Sequence, residues 1–177
     1  MSQLLPTYQR ENLNKQFSAD ACESRRTTLN FRAELFVNHS PAAVWSFFTD
    51  LSRWSQWSPI CRDCRLRRDC DEVSLGSVLE ITFAVMGIIL TVPSTVVEFD
   101  PPRAIAWHGE KFGIHAIHTY RFVSQAGGTL LCNEETFTGT NLVSGALMSA
   151  WYRKSKLSRQ SLEGIRRELK RLDGAGQ

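Results

Sequence analysis

The chain has 177 residues, of which 42% are hydrophobic, 22% charged and 10% aromatic, with a formal net charge of +3. This is one domain's length in an ordinary globular composition, which excludes a wholly disordered, collagenous or disulfide-dense chain. The small positive excess falls well short of a dedicated nucleic-acid binder. The longest apolar stretch, Ile81 to Val97, is broken by residues such as Thr82, Gly87 and Pro93, too short and interrupted for a membrane span of about 20 apolar residues.

In chain order, residues 1–28 are polar, mixed in charge and without periodicity, and read as a flexible tail. They hold no charged-then-apolar-then-small signal sequence, and Glu11, Asp20 and Glu23 count against a transit peptide. The five cysteines, an odd number, fit free thiols in a reducing compartment, so the expected location is cytoplasmic. From Leu29 to Val37, Phe31, Ala33, Leu35 and Val37 recur with the period of two of a half-buried strand. Ser40-Pro41 offers a helix N-cap and a proline at the first helical position. Ala42, Val44, Trp45, Phe47 and Phe48 then make a helical apolar face that ends near Asp50. The stretch Leu51 to Pro59, with Trp54 and Trp57, reads as a second short helix and a loop.

Six strands are expected next. Arg62 to Arg68 is polar and suits a sheet edge. Ser77 to Met86 and Ile88 to Phe99 meet at Gly87, and Asp100-Pro101-Pro102 turns the chain into Arg103 to Lys111. Phe112-Gly113 reads as a tight hairpin turn into Ile114 to Ser124, and Gln125 to Gly128 as the loop before Thr129 to Thr138. The longest helical pattern runs from about Leu142 to Leu172, with Leu147, Trp151, Leu162, Ile165, Leu169 and Leu172 on one apolar face. Strands joined by short turns pair antiparallel. Their apolar face needs a cover, and only the terminal helix is long enough to give one. The expected architecture is therefore α+β. A single domain over 29–173 curves an antiparallel sheet of six to seven strands around a long C-terminal helix, with two short helices after the first strand and a tail at 174–177.

The order of motifs carries a resemblance. Ser40-Pro-Ala-Ala-Val-Trp45 is followed by Trp54 and Trp57, then by Val97-Glu-Phe-Asp-Pro-Pro-Arg-Ala-Ile-Ala-Trp107. His118-Thr-Tyr-Arg-Phe122, Gly128-Thr129, Glu135-Thr-Phe-Thr-Gly139 and the final helix complete the series. Over roughly Asn30 to Leu172 the chain resembles the START/polyketide-cyclase superfamily, also called SRPBCC, whose helix-grip fold is shared by the birch-pollen-allergen family. The similarity is greatest to small polyketide cyclase/dehydrase-like proteins. It implies a cavity for a hydrophobic ligand and no particular reaction.

Parity identifies the side chains that enter such a cup. Thr119 and Arg121 should face water, which turns His118, Tyr120 and Phe122 inward. The same logic turns Leu131, Asn133, Glu135 and Phe137 inward on the next strand, and Ile105 and Trp107 on the preceding one. If Lys111 pairs with Ile114 and Ser124 with Thr129, then Trp107, His118 and Glu135 form one row, with Tyr120 opposite Asn133. A His beside a carboxylate on an apolar wall suits a tuned acid–base pair able to enolise a carbonyl. It equally suits a buried hydrogen bond or a ligand-orienting contact. The expected ligand wall is Phe83, Trp107, Tyr120, Phe122, Leu131 and Phe137, with Leu147 and Trp151 from the helix. His118, Asn133 and Glu135 are its polar points.

No metal or other cofactor is expected. Cys61-Arg-Asp-Cys64, even with Cys70, lacks the second ligand pair of a structural zinc site, and parity separates both Cys61 from Cys64 and His115 from His118. The C-terminal helix is rich in Arg and Lys. It reads as a solvated face, with transient docking on an anionic membrane as the sharper alternative. Three functions follow in order of preference. The first is a binder or carrier of a lipid, polyketide, sterol- or quinone-like molecule. The second is a polyketide cyclase or dehydratase that uses His118 and Glu135. The third is a co-chaperone-like interaction module, and the sequence leaves ligand identity and oligomeric state open.

Overall fold

The computed structural model describes residues 27–67, 72–85, 87–140, 149–150, 152–153 and 156–175. Strand β1 (Thr27–Val37) leads into α1 (Pro41–Thr49), a 3₁₀ turn (Leu51–Arg53) and the short helix α2 (Trp54–Trp57). Strands β2 (Cys61–Leu66), β3 (Val78–Val85), β4 (Ile88–Asp100), β5 (Ala104–Lys111), β6 (Ile114–Gln125) and β7 (Gly128–Thr140) follow, and helix α3 (Leu157–Ala175) closes the chain. The seven strands form one antiparallel sheet in the order β1-β7-β6-β5-β4-β3-β2.

The local rules explain most boundaries. The Ser40 hydroxyl accepts from the Ala43 N–H at 3.3 Å, capping α1 ahead of its N-terminal proline. Phe112 and Gly113 both have positive φ, 54° and 73°, as a two-residue hairpin turn requires. The β6–β7 turn is tighter than the four-residue loop expected. Gln125 already pairs with Gly128, yet Ser124 still faces Thr129, so the register is unchanged. Bulges after Cys61 and Val96 add the bend that curls the sheet.

Three boundaries differ from the sequence reading. Thr27 and Thr28 belong to β1 rather than to a tail, because Thr27 pairs with Thr140 at the end of β7. Gly174 and Ala175 extend α3 rather than beginning a tail. The expected unbroken helix from Leu142 is instead interrupted at Lys156, whose φ of 52° stops one helical segment before α3 begins at Leu157. Ser149, Ala150, Tyr152 and Arg153 are helical on the other side of that break. The basic run around it carries no apolar residue to hold a continuous helix face to the core. The rest of the expected tail, residues 1–26, and residues 141–148 lie outside the described residues.

The core fills the space between the sheet's concave face and the helices. Phe48 is fully buried and its ring meets Trp54, Trp57, Trp107, Tyr120 and Phe122 at centroid distances from 4.6 to 6.4 Å. The Trp54 indole donates to the Phe48 carbonyl at 2.7 Å, satisfying an acceptor that α1 leaves open at its C-terminus. Helix α3 turns Leu162, Ile165 and Leu169 inward. Its Gly164 meets α2 so closely that a Cβ there would lie 2.0 Å from the Trp57 carbonyl oxygen. This packing fills one end of the cup and leaves the other end hollow.

Candidate functional site: an apolar cavity with one polar wall

In β5, β6 and β7 the observed partners are Trp107 with His118, His118 with Glu135, and Tyr120 with Asn133. The row Trp107–His118–Glu135 therefore crosses three strands on the concave face. His118 is held on three sides. Its ring stacks on Trp107 at 5.5 Å and 2° between planes, and meets the edge of Phe137 at 5.8 Å. Its Nδ1 lies 3.3 Å from Glu135 Oε2. With the proton on Nδ1 shared with that carboxylate, Nε2 becomes an acceptor.

Glu135 is buried and collects further donors. Asn133 Nδ2 donates to its Oε1 at 3.1 Å, and the Ser158 hydroxyl donates to the same oxygen at 3.4 Å. The Tyr152 hydroxyl, 3.0 Å from Ser158 Oγ, also hydrogen-bonds this carboxylate. The site thus joins β6 and β7 to the first turn of α3 and the helical residues before it. Burial, and then the Glu135 charge, pushes the Tyr152 phenol well above its ordinary range. Tyr120 is pushed up by the same two causes against a hydrogen bond with Ser161. Both phenols stay protonated across the physiological range.

Beside this row lies a cavity of about 250 Å³. Of the expected ligand residues, Phe83, Trp107, His118, Glu135 and Phe137 line it. Tyr120, Phe122 and Leu131 point inward as expected but are consumed by the core around Phe48, and are no part of the cavity lining. Asn133 is fully buried and reaches the site only through Glu135. Leu147 and Trp151 lie outside the described residues. Trp54 and Trp57 are buried core residues.

The sequence reading missed much of the wall. Val85, Leu90 and Val92 continue the apolar alternation of β3 and β4, a signal that was available. Gly109 stands mid-strand on the wall, where a Cβ would come within 2.7 Å of Ser94 Oγ, and a glycine inside a strand marks such an approach. Tyr152, Ser158 and Leu157 carried no such signal, because their place depends on the break at Lys156.

The paired thiols correct one parity argument. The bulge in β2 returns both Cys61 and Cys64 to the buried face, where strict alternation would have separated them. Burial pushes the Cys61 thiol up to about 12 and Cys64 higher still, so both remain protonated. No group of three His, Cys, Asp or Glu side chains among the described residues is arranged to hold a metal ion. His115 faces away from the cavity and sits 3.4 Å from His108.

The chain belongs to the family described as polyketide cyclase/dehydrase and lipid transport, whose model matches residues 28–170. No curated protein matches the sequence. Among solved structures it is similar to the di-domain ARO/CYC BexL of the BE-7585A biosynthetic pathway, with 20% identity and a TM-score of 0.61 over 78% of this chain and 49% of that one. The di-domain ARO/CYC StfQ of the steffimycin pathway gives 13% identity and a TM-score of 0.68 over 98% and 63%. The chain thus spans about half to two-thirds of these two proteins. The Zhui aromatase/cyclase of Streptomyces sp. R1128 gives 18% identity and a TM-score of 0.66 over 82% and 95%. These likenesses establish a shared helix-grip fold, the START/SRPBCC architecture of the sequence expectation.

Proposed function

We propose that this chain binds a small, mostly apolar molecule with a single polar end, such as a ketone or phenol. The observation that carries this reading is the combination of an apolar hollow with one polar wall, His118 braced by Glu135. The volume lies just below the roughly 300–1,000 Å³ of pockets for drug-sized ligands, so the ligand is compact. Apolar walls supply affinity, and His118 orients the polar end. The family's description and the buried, protonated thiols fit an apolar-ligand protein of a reducing cytoplasm.

The test compares naphthalene with 1-naphthol as probes. The wild type should prefer 1-naphthol by about fivefold, the worth of one net hydrogen bond. His118→Leu keeps the wall apolar and should abolish that preference while still binding naphthalene. An unchanged preference would remove His118 from the site.

A second reading is a cyclase or dehydratase of the polyketide type. It is favoured by the His118–Glu135 geometry, in which Nε2 could take a proton from carbon beside a carbonyl while Glu135 steadies the charged ring. A poly-β-ketone substrate tests it: His118→Ala should then abolish turnover and leave affinity nearly intact. Loss of affinity and fold together would leave His118 a structural residue.

A further inference from the structure

Helix α3 buries Leu162, Ile165 and Leu169 in the core and leaves Leu172, expected on the same face, exposed near its end, while its exposed Arg159 and Arg171 pair with Glu163 and Glu168. A membrane contact would need its apolar groups from elsewhere. Among the described residues single apolar side chains such as Leu75 and Val97 are exposed elsewhere, but two neighbouring hairpin tips carry three of the four most exposed. The β3–β4 and β5–β6 hairpins turn at the same end of the antiparallel meander. Their tips leave Phe112 86%, Ile89 71% and Ile88 63% exposed. At the opposite end the β4–β5 turn is closed by an Asp100–Arg103 ion pair at 2.7 Å, and the β6–β7 turn is Ala126-Gly127.

Phe112 defies two local rules at once. Positive φ favours Asn, Asp or Gly, and a bulky aromatic there is an outlier. Leaving this residue 86% exposed costs solubility, and the ring is not among the buried core residues that stabilise the fold. A residue that breaks local preference without a structural gain marks a functional position. The tips also adjoin the cavity, because Val85, Leu90, Lys111, Phe112 and Ile114 line it. One exposed cation, Lys111, belongs to the β5–β6 tip itself. Lys111 Nζ lies 5.6 Å from the Phe112 ring centroid. Arg153 and Lys156 adjoin the cavity-lining residues Tyr152 and Leu157. Glu110, the carboxylate beside Lys111, lies 3.5 Å from His115.

From this geometry we infer that the two hairpin tips seat the cavity end on an anionic lipid bilayer. Phe112, Ile88 and Ile89 enter the interface while Lys111, Arg153 and Lys156 meet lipid phosphates. An apolar ligand would then pass between bilayer and cup without crossing water. Side chains on convex turns suit a soft lipid interface, whereas a protein partner would have to supply a matched pocket for each. The inference rests on the reading of the cup as an apolar-ligand site.

The experiment is flotation of the purified full chain with phosphatidylcholine vesicles, with and without phosphatidylglycerol, alongside 1-naphthol titration in the absence of vesicles. The wild type should float with the anionic vesicles and be released by salt. Ile88→Thr/Ile89→Thr keeps β-branched residues outside the cavity wall, so it should retain 1-naphthol binding and lose vesicle affinity by about tenfold. Phe112→Asn restores a turn-favoured residue and should fold at least as stably while losing vesicle affinity to a similar extent. Failure of the wild type to float, with naphthol binding intact, overturns the docking inference alone and turns the tips over to a protein partner. Equal flotation of the variants and the wild type overturns it as well. Flotation that depends on the tips, without naphthol binding, overturns the reading of the cup and leaves the docking surface standing.

Discussion

Glu135 is the residue on which the site depends. Its two oxygens tie His118, Asn133, Ser158 and Tyr152 together inside the fold. Removing a buried acceptor strands its donors, at about 1–3 kcal/mol for each group left unpaired. Glu135→Ala should therefore lower unfolding free energy by about 3 kcal/mol in urea titration, partial relaxation absorbing the rest. Glu135→Gln keeps one acceptor and should cost only about 1 kcal/mol. Equal, small losses for the two variants would mean that the donors find other partners. This residue-level picture was half legible in the sequence. Parity and two short turns were enough to align Trp107, His118 and Glu135, because a two-residue turn fixes the register of everything beyond it. Inward direction did not separate cavity from core. Tyr120 and Phe122 point the same way as His118, but Phe48 fills the space before them.

At the scale of elements, the contact between α2 and α3 decides how the terminal helix lies across the sheet. Gly164 shows which force controls it. Helix propensity alone would make Gly164→Ala stabilising by about 1 kcal/mol. The approach to the Trp57 carbonyl reverses that sign, because the methyl would have to occupy a space already held by backbone. We expect Gly164→Ala to destabilise by about 3 kcal/mol, the upper end of overpacking costs, measured by urea unfolding. A stabilised variant would show that α3 can shift without loss. The sequence defined α3's buried stripe through Leu162, Ile165 and Leu169. It did not reveal the interruption at Lys156, since no glycine or proline announces it. The bulge in β2 was hidden in the same way, and it put Cys64 on the face where alternation did not place it.

For the molecule as a whole, the packing is deliberately uneven: aromatic rings crowd one end of the cup and the other end stays open. Fold and family were readable from the order of strands, turns and terminal helix, whereas the cavity's limits come from tertiary contacts that no single motif encodes. A superfold of this kind supports both binding and catalysis, so function has to be argued from the wall itself. The central claim is that the hollow beside His118 receives an apolar ligand. Ala116 lines that hollow on the same strand as His118. Ala116→Phe would fill the hollow with a ring while leaving the His118–Glu135 pair in place. The most direct measurement is a calorimetric titration of 1-naphthol into the wild type and into Ala116→Phe, with the variant's folding verified by circular dichroism. The account predicts saturable one-to-one binding to the wild type and none to the folded variant. Undiminished binding to the variant, or no saturable binding to the wild type, would contradict it.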